Sequence, residues 1–380
     1  MKIDQIKVHL LSCPVDDSID WRSATGRPVK RDSVLVEIRT DEGLVGFGEA
    51  HHCLCPPAVE KIITSAYAPH LTGKDPTKIQ DCLAPLFRMT YMLGASGAPI
   101  AAISAIDTAL WDITGKAAGL PVYKLLGGSA DKVRAYAGGW GLGWKEKSKL
   151  VEEAQEMLSY GYKALKVRVG LGFKRDLEVV EAIRSAVGDD VDILTDAAGS
   201  YDRTQARYVI EGLRDLGVYW LEEPLPAADL DGLIELSRAR KLRIAYGESL
   251  FTHNAFHRPI KEQGIDVVQP DACKCGGILE SRLIAIMAES AKIKFVPHIV
   301  GNAVATAANL QVLGSVRNGV YAEIDLPRTA RLRESLLINP PNFIPENGEI
   351  KIPDGPGLGI EVNTEAFAEF PYIEGSCYKV

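Results

Sequence analysis

The stretch YWLEEPLP, Tyr219 to Pro226, drives an apolar run into two adjacent carboxylates, Glu222 and Glu223, and stops it with proline. Like charges at the edge of a core cost free energy unless a cation or hydrogen bonds offset them. What this pair is for depends on how the neighbouring runs end. From about Lys132 onward the sequence repeats one pattern, a short β-rich run followed by an amphipathic helix, at intervals of about 25 residues. The runs are VRAYAGGW, ALKVRVG, VDILTDA, YWLEEP, RIAYGES, DVVQPD, IKFVPHI and VYAEID, with helices such as KSKLVEEAQEMLSYG and TQARYVIEGLRDLG between them. Eight such strands predict a closed parallel barrel, and no G-x-G-x-x-G opens a helix, which argues against dinucleotide binding.

The residues before the repeat read as a separate α+β module over 1–128. SVLVEIRTDEGLVGFGEA is a hairpin turning at Asp41-Glu42-Gly43, and helical periodicity runs from PAVEKIITSAYAPHL through APIAAISAIDTALWDITGKAAGL, where Gly119 and Pro121 stop it. The barrel is assigned to 129–335. The Gly/Pro-rich segment 336–380, with GEIKIPDGPGLGIEVN, carries one strand and is expected to return to the first module.

A chain of 380 residues with 46% hydrophobic content can fill both cores. A net charge of −7 without a basic patch argues against nucleic acid and anionic membrane as partners. The N-terminal apolar run is too short and interrupted for a signal sequence, and no stretch approaches a membrane span, so a cytoplasmic protein is expected. Seven cysteines, including the C-x-C pairs Cys53/Cys55 and Cys273/Cys275, fit neither a disulfide framework nor zinc spacing and read as buried or idle thiols.

In a parallel barrel the reacting groups sit at the C-terminal ends of the strands. The runs end in Lys166 and Arg168, Asp196, Glu222, Glu248, Asp271, His298 and Glu323. One charged strand end is commonly a solvated cap, but seven in succession describe a site. Asp196, Glu222 and Glu248, on successive strands, would repel one another without a divalent cation, and an all-oxygen set suits Mg2+, with Mn2+ as a substitute. Glu223, one residue on, should face away and make a structural ion pair or a supporting hydrogen bond. Lys166 and Arg168, two apart, share a side and suit an anionic substrate, a small-molecule carboxylate. Asp271 can orient His298 and raise its basicity; Glu323 could be a capped structural carboxylate or, if protonated in a desolvated site, could donate to a developing oxyanion. Asp20, Trp21, Arg22 and Arg27 in DDSIDWRSATGRP, and His51 and His52 in GEAHHCLCPP, are candidates for touching the far end of the substrate, with solvated loop residues as the alternative.

The order K-x-R, D, E-E-P, G-E-S, Q-P-D, P-H and A-E-I-D resembles the mandelate racemase subgroup of the enolase superfamily, along the whole chain. The resemblance implies a modified (β/α)7β TIM-type barrel with an α+β N-terminal capping domain, and Mg2+ on Asp196, Glu222 and Glu248. It further implies removal of the proton α to a carboxylate to give a metal-stabilised enediolate, and a symmetric homo-oligomer. Two departures matter. Arg168 stands where the subgroup often has a second lysine base, and arginine stays protonated, which favours one-base chemistry by His298 and Asp271. Ala198 stands where many relatives have Asn. The expected reaction is β-elimination of water from a sugar acid. The alternatives are ring opening of a sugar-acid lactone, since the tail and FVPHIVGNAV resemble galactarolactone cycloisomerases, racemisation or epimerisation of a carboxylic acid, and a non-catalytic binding protein.

Overall fold

The computed structural model describes residues 1–16 and 19–379. The first module is built on the expected hairpin. Strands β1 (Ile3–Pro14), β2 (Arg27–Pro28), β3 (Lys30–Thr40) and β4 (Val45–Ala50) open the chain, and β1, β3 and β4 form one antiparallel sheet. Gly43 turns the hairpin at φ +88°, a left-handed conformation that glycine adopts without cost. The helix Ala98–Ala118 packs across this sheet and ends at Gly119 in the left-handed conformation, as the sequence predicts. The approach is close enough that a Cβ on Gly48 would lie 1.8 Å from the carbonyl oxygen of Ala105. The preceding helical segment is less regular than its periodicity predicts: Pro56–Lys61 is α-helical, Ile62–Tyr67 widens into a π turn, and Ala68–His70 tightens to 3-10.

The eight β-runs form the eight strands β5 (Lys132–Gly138), β6 (Ala164–Arg168), β7 (Asp192–Asp196), β8 (Trp220–Glu222), β9 (Ile244–Tyr246), β10 (Val267–Val268), β11 (Lys294–Phe295) and β12 (Tyr321–Asp325). All neighbours are parallel in the order β11-β10-β9-β8-β7-β6-β5-β12. A parallel bridge between Phe295 and Gly319 closes the circle, with Phe295 N–H donating to Asn318 at 2.9 Å and Val320 N–H to Phe295 at 3.0 Å.

The tail divides its contacts. The strand predicted in GEIKIP, Glu349–Lys351, pairs antiparallel with β5 of the barrel, because Ile350 and Ile352 bury there. Contact with the first module comes later, where Pro371 bridges Leu11 and Tyr378–Lys379 pairs with β2. No described helix is long and apolar enough to cross a membrane.

Candidate active site

The barrel floor explains why the strand ends carry the chemistry. Tyr136, Ala164, Leu194, Trp220, Ala245, Val267, Val296 and Tyr321, one from each strand run, pack into one buried cluster. The aromatic rings meet edge to face, with centroids 5.8 Å apart for Tyr136–Trp220 and 6.0 Å for Tyr136–Tyr321. Side chains alternate along a strand, so the residue two further on projects into the same lumen one layer higher. That step leads from Ala164 to Lys166, Leu194 to Asp196, Trp220 to Glu222, Val296 to His298 and Tyr321 to Glu323.

Asp196, Glu222 and Glu248 converge: one carboxylate oxygen from each lies within 4.8 Å of the other two. Burial pushes Glu222 up to about 7 against the opposing charge of Lys166, and its Oε2 is buried without a hydrogen-bond partner. An orphaned oxygen amid two buried carboxylates and one half-buried one is the environment a divalent cation relieves, and an all-oxygen set fits Mg2+ or Mn2+ better than zinc. The backbone is bent to hold the cluster. Ala198 and Glu223, each just beyond a cluster carboxylate, adopt φ +45° and +40°, uncommon for residues with a Cβ. Ala198 lacks a polar side chain, but its N–H donates to Asp196 Oδ1 at 2.9 Å.

Glu223 leaves the strand geometry on which its expected outward orientation rested, since β8 ends at Glu222. Among the described residues it makes no ion pair and accepts a hydrogen bond from Ser249 Oγ at 2.7 Å. Burial first, then the neighbouring Glu248, pushes it up to about 8. Burial and Glu248 thus both favour the protonated form of the second carboxylate of the Glu-Glu pair.

Across the lumen, His298 Nδ1 lies 3.0 Å from Asp271 Oδ2, and His298 Nε2 lies 3.0 Å from Glu248 Oε2. Asp271 is itself fixed: Oδ1 accepts from Asn309 Nδ2 at 2.8 Å and Cys273 N–H at 3.0 Å, and Oδ2 accepts from Val300 N–H at 3.2 Å. With four donors around it the carboxylate has one orientation, which makes Nδ1 the protonated nitrogen and leaves Nε2 as the basic one. Burial disfavours charge on His298, but Glu248 and Asp271 outweigh it and raise its pKa well above the usual imidazole range.

Lys166 Nζ lies 2.7 Å from Glu323 Oε1, 3.3 Å from Glu222 and 3.4 Å from Asp196, and Arg168 bonds Asp196 Oδ2. Burial opposes charge on both cations, yet the carboxylates overcome it and raise both pKa values. The same contacts favour the capped carboxylate over the protonated donor for Glu323. Burial favours its protonation, but Lys166 and His298 lower it to about 2, and it accepts from Gly139 and Ile299 N–H groups at 3.2 and 3.3 Å. Glu323 is an anion here, not a protonated donor, because the cation expected to face the substrate is bonded to it.

The mouth is a cavity of about 270 Å³ lined by Arg168, Ala198, Glu248, His298 and Glu323 from the barrel and by Trp21, Arg31, His51 and His52 from the cap. Trp21 is buried, donates from Nε1 to Gly141 at 3.2 Å, and lies under the Arg168 guanidinium at 5.6 Å. His51 and His52 stack with centroids 4.7 Å apart, held over the mouth by Cys53 and Leu54 at φ +48° and +59°. Buried Glu49 locks this corner to the barrel by accepting from Asn302 and Ala305 N–H, both at 2.9 Å, at the start of the helix Ala303–Gly314. Other loop candidates fall outside the cavity. Arg22 is exposed, and its carbonyl accepts from Trp144 N–H at 2.7 Å. Arg27 belongs to β2, and Asp20 lies 3.9 Å from Lys149 along a separate surface cleft of about 560 Å³ that holds none of the strand-end groups. Asp17 and Ser18 of the same loop lie outside the described residues.

Sequence reading missed several participants. Asn309 sits in a helix with no polar signature, and Arg31 pairs with Asp325 inside a strand. Ser376 and Tyr378 reach the cavity from the tail, and Lys274 hides between two cysteines that are themselves free and buried.

A parallel barrel with acids and an Asp–His pair at its strand ends, beneath an α+β cap, is the architecture of the enolase superfamily. Residues 13–127 match the mandelate racemase / muconate lactonizing enzyme N-terminal domain, and residues 149–366 match the enolase C-terminal domain-like family. The chain belongs to the mandelate racemase/muconate lactonizing enzyme family and is an enzyme of the lyase or isomerase type. It is 34% identical to a D-galactarolactone cycloisomerase from Agrobacterium fabrum, over 97% of this chain and 99% of the relative. It is 35% identical to an arabinonate dehydratase from Saccharolobus solfataricus, over 89% of this chain and 90% of the relative. Among solved structures, an enolase-superfamily member from Polaromonas superposes with TM-score 0.94 at 37% identity over the full length of both chains. A racemase from Streptomyces coelicolor with bound magnesium superposes with TM-score 0.89 at 26% identity, over 97% of this chain and all of that one.

Proposed function

We propose that the protein removes the proton α to the carboxylate of a sugar acid and expels the β-hydroxyl as water, with His298 as the single base and Mg2+ as cofactor. A proton beside a carboxylate is very weakly acidic because its removal places a second negative charge on the same group. A divalent cation held by Asp196, Glu222 and Glu248 supplies the fixed positive charge that this dianion needs. Lys166 adds a second positive charge, and anionic Glu323 holds its ammonium in place.

His298 Nε2 accepts the proton while Asp271 holds the Nδ1 proton in place. The protonated His298 then donates to the departing β-hydroxyl. The electron pair of the broken C–H bond becomes the new C=C bond, the C–O pair leaves with oxygen, and the products are water and an enol that becomes the 2-keto-3-deoxy acid. Arg168 stays protonated and is committed to Asp196, so it is not available as a second base, which disfavours racemisation. The observation that carries the reading is the orientation of His298: Nδ1 is tied to Asp271 and Nε2 is aimed at the carboxylate cluster. The small-molecule acid is the only partner the site requires, and neither nucleic acid nor membrane is proposed.

Ring opening of a sugar lactone is the second reading, favoured by the extent of similarity to the cycloisomerase. The same proton abstraction then expels a ring carboxyl oxygen in place of water. The test is a library of sugar acids and lactones with Mg2+ in D2O, followed by NMR. Deuterium at the α-carbon or a 2-keto-3-deoxy product from one member supports the proposal. No exchange from any member, with the metal shown to be bound, contradicts it.

A further inference from the structure

The mouth cavity is rich in cations, and those deepest in it already have partners. Arg31 is bonded to Asp325 and lies over the Trp140 ring, and Arg168 is bonded to Asp196. Lys274 differs. It lines the same cavity half-buried, yet among the described residues no hydrogen bond or ion pair takes its Nζ, which lies 5.7 Å from the centre of the Phe251 ring. A partly desolvated ammonium facing a cavity is under-neutralised and attracts an anion.

Its place is fixed relative to the reacting groups. The N–H groups of Lys274 and Cys275 both donate to the carbonyl of Asp271, at 2.9 and 2.7 Å, so the lysine stands on a tight turn begun by the residue that orients His298. The carbonyl of Cys273, in that turn, accepts from His51 N–H at 2.8 Å, which puts Lys274 beneath the stacked histidines of the cap. Burial keeps His51 well below the usual imidazole range and His52 down at about 4, so both are uncharged near neutrality. They suit hydroxyl groups, and among the described residues the cation on this side of the mouth without an ion pair is Lys274, whose charge also acts on Glu248.

We infer that Lys274 binds a second carboxylate, at the end of the substrate remote from the Asp196–Glu222–Glu248 cluster, so that the substrate class is a sugar diacid or the lactone of one. The inference rests on the proton-abstraction reading above and narrows it. In a diacid the remote carboxylate is present throughout and Lys274 neutralises it, while water leaves as already described. In a lactone the remote carboxyl is the ring ester. The C–O bond to the β-carbon breaks, its electron pair stays on the carboxyl oxygen, and the new carboxylate appears at the ammonium. The proton taken by His298 returns to the β-carbon as the enol becomes a ketone, so the reaction is an isomerisation without loss of atoms. A sugar monoacid ends in a CH2OH group and leaves Lys274 without a counter-charge.

The test compares matched sets of one stereochemistry, each comprising the diacid, its 1,4-lactone and the corresponding monoacid, with Mg2+ and NMR detection of α-deuteration and product. Whichever of diacid and lactone turns over identifies the source of the second carboxylate. The expected kcat/KM exceeds that of the monoacid by about 30-fold or more, the worth of one hydrogen-bonded charge pair. Lys274→Met is expected to bring that ratio to within about threefold and Lys274→Arg to keep most of it, with melting temperatures confirming that both variants fold. A monoacid used as well as its partners, or a ratio unchanged in Lys274→Met, overturns the assignment. If nothing exchanges, the proton-abstraction reading fails on its own, and calorimetric titration of galactarate against galactonate still reads the lysine. A preference of about 30-fold for the diacid that Lys274→Met abolishes supports the site, and equal binding refutes it.

Discussion

Replacing Asp271 by Asn tests whether the orientation of His298 carries catalysis. Asp271 receives four donors: His298 Nδ1–H and Val300 N–H on Oδ2, Asn309 Nδ2 and Cys273 N–H on Oδ1. An amide keeps one acceptor atom and turns the other into a donor, so two donors lose their acceptor whichever way it sits. If the NH2 faces His298, the ring does best by moving its proton to Nε2, the atom that should accept the substrate proton. If it faces Asn309, the His298 contact survives as a neutral hydrogen bond and the positioning of the whole turn suffers. Hydrogen bonds to a charged group contribute about 1.5–3 kcal/mol each, so losing two costs about 3–6 kcal/mol. Expressed in the transition state, that is a rate loss of about 10²–10⁴-fold. The assay is α-deuterium exchange in D2O at saturating substrate and Mg2+, beside a denaturant melt that separates catalysis from folding. Exchange in Asp271→Asn within about threefold of the parent would refute the role given to the pair.

Three further outcomes follow from other contacts. Glu222→Gln removes a buried charge whose Oε2 has no partner, so without metal the variant should melt above the parent, and added Mg2+ should raise its melting temperature far less. His52 has its pKa lowered from 6.5 to about 4 by burial, so the folded protein binds fewer protons there than the unfolded chain; stability is intact above pH 6.5 and falls as pH drops toward 4, by about 1–3 kcal/mol. Urea midpoints from pH 7.5 to 4.5 should therefore fall less steeply in His52→Gln. Gly48→Ala places a methyl 1.8 Å from the Ala105 carbonyl and should cost about 3 kcal/mol or more in a denaturant melt, through separation of the helix Ala98–Ala118 from its sheet.

The barrel was legible because its signals are periodic. A two-residue alternation places Trp220 and Glu222 in one lumen, and repetition at about 25 residues reveals eight such strands. The carboxylate cluster was legible for the same reason, since an acid at the end of an apolar run has few structural roles. What escaped the sequence depends on contacts distant along the chain. Asn309 fixes Asp271 from 38 residues away, and Glu49 ties the cap to the helix starting at Ala303 across more than 250 residues. The charge state of Glu323 depends on cations distant in sequence, first of all a lysine 2.7 Å away that lies 157 positions earlier, which no local pattern encodes. For Glu223 the supporting hydrogen bond was legible but its partner Ser249 and its φ of +40°, just past the end of the strand, were not. The loop residues Arg22 and Arg27 show the reverse error: polar composition marks a loop without saying which of its side chains reach the cavity.

The proposed chemistry depends on one cation between Asp196, Glu222 and Glu248. Crystals grown with Mn2+, an anomalous scatterer that substitutes for Mg2+, locate it directly. A single anomalous peak is expected at about 2.0–2.3 Å from one oxygen of each carboxylate, with His298 Nε2 released from Glu248 and left outside the metal shell. A well-ordered structure in Mn2+ with no peak there, or with the three carboxylates still held only by Lys166, Arg168 and His298, would contradict it.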